Sequence, residues 1–143
     1  MDQPIKQGEE ILQFIPQRAP LVMVDKLYAA TEKSVTSGLT VGDNLLSTDG
    51  FLQESGLIEN MAQTCALFAG HRAQELGKEA PVGFIASIKN VVIKRKPGIG
   101  ENLRTEIKIT NELMNMQIAI ASVFDEQDSL LAGCELRIFI KED

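Results

Sequence analysis

The chain has 143 residues, of which 44% are hydrophobic and 24% charged. That length and balance fit one soluble domain, spanning 1–143, with a real and mostly aliphatic core. A formal net charge of −6 argues against nucleic-acid binding. The single His, with Cys65 and Cys134 far apart in apolar surroundings, argues against a metal site, a redox cofactor or a paired thiol.

In chain order, QGEEILQFI (7–15) predicts a short amphipathic helix, with Glu9 and Glu10 in its first turn and Pro16 closing it. LVMVDKLY (21–28) predicts a strand, and SVTSGLTV (34–41) a weaker one with Gly38 as a bulge. GDNLLSTDG (42–50) is turn chemistry ending in Asp49-Gly50. A helix follows over roughly 55–76, with Ser55 as N-cap, Gly77 just past its end and Gly70 marking close packing. Apolar residues cover nearly all faces of its first four turns, the pattern of a buried helix. After Pro81 everything reads as strand: VGFIASIKNVVIKRK, LRTEIKITNEL, MQIAIASVFDE and LLAGCELRIFIK, joined by short loops that predict an antiparallel meander. Alternation such as Leu103-Thr105-Ile107 against Arg104-Glu106-Lys108 predicts one covered face and one wet face. The sum is an α+β fold, one long buried helix and a sheet that must curl around it. The far side of that helix needs a second cover, for which another subunit is the natural candidate. No apolar run is long enough to span a membrane, and the first ten residues lack a signal core. A cytoplasmic location is the expectation.

The helix begins SGLIENMAQTCALFAG (55–70), with an ionisable side chain, Glu59, in a segment otherwise built for burial. Such a group is costly unless paired or used. Gln63 lies one turn on, on the same helix face. The plain alternative for Glu59 is a hydrogen bond to a loop or to a partner subunit.

Three stretches carry a family resemblance. FIPQRAPLVMVDKL (14–27) resembles the L-P-H-R-x-P-x-L-L-V-D segment of the β-hydroxyacyl-acyl carrier protein dehydratases. GLIENMAQTCALFAG (56–70) resembles their central helix, and FIASIKNVVIKRKPGIGENL (84–103) their F-x-G-I-x-x-x-R-F-K-R-P-V-x-P-G-D-x-L stretch. The similarity is colinear over roughly the whole chain. It implies the hotdog fold, a curved antiparallel sheet wrapped around one long helix, assembled as a homodimer with active sites at the interface. A higher oligomer, or a heterodimer with an active paralogue, is the alternative assembly. The implied ligand is an acyl thioester on acyl carrier protein or coenzyme A, with the chain beside the helix.

The resemblance maps the family's acidic catalytic residue to Glu59 and its helix Gln to Gln63. It implies that amides of about Ser55, Gly56 and Leu57 hold the thioester carbonyl. The family's catalytic His lies in a G-H-F-P-G turn, where this chain has NLLSTDGFLQESG (44–56), with neither His nor Pro. The His of the N-terminal motif is Gln17 here, which places Gln17 among the substrate-binding candidates. The loop resembles a divergent dehydratase-like branch of aryl-polyene and related lipid pathways, which usually keeps that second His. His71 is about three turns, roughly 18 Å, beyond Glu59 on the same helix, and reads as a surface residue of its polar end.

Without an imidazole, Glu59 would act as both base and acid in a syn elimination, Gln17 being unable to take a proton. Asp25 and Asp49 are other carboxylates within reach of a site, though Asp49 suits its turn. Two further readings stand beside dehydration: thioester hydrolysis through Glu59, and a non-catalytic subunit that pairs with an active dehydratase. Lys94, Arg95 and Lys96 form the one basic cluster, a candidate docking site for an acidic carrier protein or for phosphates, against the alternative of a solvated strand end. Cys65 and Cys134 read as inert core residues.

Overall fold

The computed structural model describes residues 3–141. Its elements are β1 (Lys6–Gln7), a 3-10 helix (Gly8–Gln13), β2 (Lys26–Ala30), β3 (Ser34–Thr40), β4 (Ser47–Thr48), β5 (Phe51–Leu52), α1 (Glu54–Glu75), β6 (Val82–Ile93), β7 (Asn102–Leu113), β8 (Met116–Phe124) and β9 (Leu130–Lys141). Seven strands form one antiparallel sheet in the order β1-β2-β3-β7-β8-β9-β6, and β4-β5 is a separate small hairpin. The helix packs on β3, β7 and β8. This is the α+β arrangement of sheet around helix expected from the sequence.

Period-two alternation sets the sheet's faces. Leu103, Thr105, Ile107 and Ile109 of β7 are buried with Ala119, Ala121 and Val123 of β8 and Cys134, Leu136 and Ile138 of β9. They meet Leu57, Met61, Leu67 and Phe68 of α1 in one continuous core. The helix ends in a Schellman motif: Gly77 takes φ +66, the Lys78 amide donates to Ala73 (2.8 Å) and the Gly77 amide to Gln74 (3.1 Å). Asp49 (φ 54) and Gly50 (φ 86) form the two-residue turn of the β4-β5 hairpin, as their pairing in sequence predicts.

Several expectations are corrected. Residues 8–13 form a 3-10 helix rather than an α-helix. The expected strand at 21–28 begins only at Lys26, because helix side chains take the backbone groups of the preceding residues. Gly38 is in register with Lys26, and the bulge sits in β2 between Leu27 and Ala29, opposite Ser37 and Thr36. A Cβ at Gly38 would come within 2.7 Å of the Tyr28 ring, so the glycine makes room for an aromatic neighbour. The N-cap is Gln53, not Ser55.

The meander is broken as well, since β6 pairs with β9 and not with β7. Its outgoing loop is held at the helix start instead, where the Leu52 amide donates to Pro97 (2.9 Å) and the Ile99 amide to Gly50 (3.0 Å). Strand β6 is therefore an edge. Phe84, Ile85, Ile88, Val91 and Val92 along it are all exposed.

Candidate functional site

A cavity of about 710 Å³ runs beside α1. Its helix wall is Glu59, Ala62, Cys65, Ala66 and Ala69, near-helical spacing of small side chains with a carboxyl at one end. Opposite stand Phe14, Ile15, Pro16 and Gln17, and β6 closes one flank with Gly83, Phe84 and Ile85. The segment 13–23 runs antiparallel to the helix. Gln74 Nε2 donates to Gln13 Oε1 (2.8 Å), Phe14 packs edge-on against His71 at 5.3 Å, and Gln63 Nε2 donates to the Leu21 carbonyl (2.6 Å). Gly70 permits this approach, because a Cβ there would overlap the Phe14 carbonyl.

Glu59 is half-buried. Its Oε1 accepts from Gln63 Nε2 at 2.8 Å. No donor among the described residues reaches Oε2, and the residue borders the cavity, so one oxygen is fixed and the other is available to a ligand. Gln63 is fully buried and lies outside the cavity lining. Its Oε1 accepts from the Met23 amide (2.7 Å), which orients its Nε2 toward Leu21 and Glu59. Gln63, expected to contact substrate, thus holds one oxygen of Glu59 from outside the cavity lining.

Asn60, a polar interruption of the helix to which the sequence assigned no role, completes this clamp. Its Nδ2 donates to the Met23 carbonyl (2.7 Å) and its Oδ1 accepts from Thr105 Oγ1 (2.6 Å). Thr64 Oγ1 donates to the Asn60 carbonyl and meets Ser37 Oγ, each at 2.7 Å. The signal was a set of polar residues in a helix apolar all round, since buried polar atoms require partners.

Gln17 borders the same cavity as Glu59, and its Oε1 is buried without a donor among the described residues. Ser55, Gly56 and Leu57 lie outside the cavity lining. The amides of Gly56 and Leu57 already donate to the Gln53 carbonyl, at 2.9 and 3.2 Å. Asp25 is held by Lys26 Nζ (2.8 Å) and the Thr40 amide (3.0 Å), away from the lining. His71 is not the surface residue expected. Its side chain is only 12% exposed, covered by Phe14 and 3.6 Å from Glu75, and it does not reach the cavity.

Of the basic cluster, Arg95 is committed internally. It contacts Glu101 (2.8 and 3.0 Å) and Asp125 (3.0 Å), and these bonds, Glu101 first, hold its guanidinium more firmly protonated than usual. Lys96 Nζ donates to Gln53 Oε1 (2.9 Å). Burial, with a smaller contribution from Cys134, pushes the Cys65 thiol up to about 12. Burial alone takes Cys134 to about 11. Neither is a ready thiolate.

A helix held in an antiparallel sheet, with one carboxyl opening onto an apolar channel under an uncovered edge strand, defines a hotdog protein with a cavity beside its helix. A family model for ApeP-like proteins, described as ApeP dehydratase, matches residues 9–143, and the chain belongs to that dehydratase family. It is 27% identical over 135 residues to the 3-hydroxyacyl-[acyl-carrier-protein] dehydratase FabZ of Clostridioides difficile (strain 630), covering 87% of this chain and 91% of the relative. Among solved structures it is similar to the dehydratase heterocomplex ApeI:P from Xenorhabdus doucetiae (TM-score 0.83, 17% identity, 100% of this chain and 94% of that one). It also resembles a hypothetical thioesterase with coenzyme A from Streptococcus pneumoniae TIGR4 (TM-score 0.68, 10% identity, 82% and 86%). At these identities the structural matches establish the hotdog fold.

Proposed function

We propose that the protein is a subunit of a 3-hydroxyacyl-thioester dehydratase in which Glu59 supplies one of two proton-transfer groups and a second hotdog chain supplies the other. The observation that carries the reading is the Glu59 oxygen that no described donor reaches, opening into an apolar channel lined, among the described residues, by only one other titratable group, the Cys65 thiol. Elimination breaks the C2–H and C3–O bonds of a 3-hydroxyacyl chain. A base takes the C2 proton, an acid delivers a proton to the departing hydroxyl, and water leaves with the thioester intact. One carboxyl can serve both steps in a syn elimination, but slowly. A second group on the opposite face separates the roles.

The uncovered edge of β6 supports a second chain as the source of that group. Strand β6 offers an unpaired edge and exposed apolar side chains beside the cavity, so a chain pairing there would bring its own residues over the open flank. The heterocomplex described for ApeI:P supports a paralogue as that chain, with a second copy of this protein as the other assembly. The exposed Lys94 and Lys96, rather than Arg95, remain for an acidic carrier protein.

The test is incubation of the purified protein with a 3-hydroxyacyl-carrier thioester, alone and with a His-bearing hotdog paralogue. Loss of water with retained thioester, strongly raised by the paralogue, is the expected result. Glu59→Gln should lower that rate about 10²–10⁴-fold. An unchanged rate removes Glu59 from the chemistry, and release of free thiol would instead make the protein a hydrolase.

A further inference from the structure

The other helix residues that border the cavity, Ala62, Cys65, Ala66 and Ala69, all lie on the C-terminal side of Glu59. From the carboxyl the cavity therefore runs one way along α1, toward the helix end. The opposite walls agree. Phe14, which borders the cavity, stands at Gly70, and Ala80 and Pro81, which follow the helix in the chain, border it as well. From Glu59 to Ala69 is ten residues, or about 15 Å along the helix.

Along that run the helix offers three methyl groups and the Cys65 thiol, and the sheet offers Phe84, Ile85, Ile138 and Ile140. Gln17 borders it too, with its Oε1 sealed from the open space. The far boundary is polar. There Gln13 borders the cavity and accepts from Gln74 Nε2 (2.8 Å), both side chains lying at the surface. The arm of a thioester carries amides that would lose hydrogen bonds in such a run, whereas an alkyl chain has none to lose. The run therefore suits the acyl chain.

A carbon–carbon bond of about 1.5 Å at a near-tetrahedral angle advances an extended chain by about 1.25 Å per carbon. The run then holds about 12 carbons beyond the reacting pair at Glu59. We propose that the cavity selects long acyl chains, of about 14–16 carbons, and that Ala66 and Ala69 set this limit by keeping the run open. This rests on the reading of the cavity as an acyl-thioester site and names the length class of chain it takes. Ala66 is seven residues, or about 10.5 Å, beyond Glu59. A larger side chain there obstructs the run after about eight carbons. Past the level of Gln13 and Gln74, further methylenes meet water and gain nothing.

The probes are saturated acyl-coenzyme A thioesters of increasing length, titrated calorimetrically below their micelle concentrations into the protein in its native assembly. Affinity should rise about three- to fourfold per added methylene and level off near 14–16 carbons. In Ala66→Leu it should level off at about 11 carbons, with shorter thioesters bound within about twofold of wild type. Ala69→Leu should level off between these two. A wild-type plateau below about 10 carbons, or one plateau shared by all three proteins, would overturn the proposal. Equal weakening of every length by Ala66→Leu would also overturn it, by placing the thioester arm in the run. The wild-type plateau needs no variant, so the length class is tested even where one of the two fails to fold. Failure of all the thioesters to bind would remove the acyl-thioester reading as well, whereas binding without length dependence would remove only the length selection.

Discussion

At the scale of single residues, Gln63 shows how a buried amide can set the geometry of a half-buried carboxyl. Its side chain spends Oε1 on the Met23 amide and Nε2 on Leu21 and Glu59. Replacing it with Leu strands the Met23 amide and the Leu21 carbonyl, and about 2–4 kcal/mol of stability should be lost by urea unfolding. A loss within error would show that the segment finds other partners. Gly70 is a steric case. Gly70→Ala drives a methyl group into the Phe14 carbonyl, and about 1–3 kcal/mol of destabilisation is expected in the same assay. The Asp49-Gly50 turn and Gly77 at the helix end were legible from sequence, since positive φ selects residues by local sterics alone. The roles of Asn60 and Gln63 were not, because their partners lie 37 to 45 positions away in Met23, Leu21 and Thr105, or on the adjacent turn.

At the scale of elements, the ends of β6, β7 and β8 are tied by Arg95, Glu101 and Asp125. Arg95 holds the Glu101 carboxyl below its usual range, while the Ser129 amide and then Arg95 do so for Asp125. Both groups are depressed in the fold, so their stabilising effect is fully present above the unfolded carboxylate range, near pH 4, and is lost as pH falls through the lower folded values. Asp125→Asn should therefore be less stable than wild type at neutral pH, with the difference shrinking as the solution is acidified below about pH 4. Thermal unfolding across that range measures it, and a pH-independent difference would mean that the charge of Asp125 is not what matters. The strands themselves were readable from alternation, yet the neighbour of β6 was not. Short turns favour hairpins, but residues 97–100 are held by the β4-β5 hairpin at the start of α1, and this contact sends β6 to the far edge of the sheet.

For the whole molecule, the decisive feature is what the sheet leaves uncovered. Phe84 and Ile85 of β6 border a cavity that the helix covers from one side only, and Ile88, Val91 and Val92 continue the exposed apolar edge beyond it. Under the proposed pairing, Ile88→Lys with Val92→Lys should abolish association through that edge, seen as a fall to single-chain mass in light scattering. The loss of dehydration should accompany it. A variant that keeps both mass and rate would place the partner elsewhere. Met114, 97% exposed at the β7-β8 hairpin tip, is neither core nor channel lining.

The sequence by itself determined the types of the long elements after residue 34, the buried central helix and the family, but not the short β4-β5 strands, because hydrophobic period, turn residues and colinear motifs are written locally along the chain. Only the tertiary structure decided which polar side chains face the channel. It set Glu59 and Gln17 on one cavity, turned Gln63 and Asn60 into a clamp on residues 21–23, and removed His71 and Arg95 to partners of their own. The physical reason is that a buried polar atom is satisfied by whatever folds against it, and neither spacing nor composition records that neighbour.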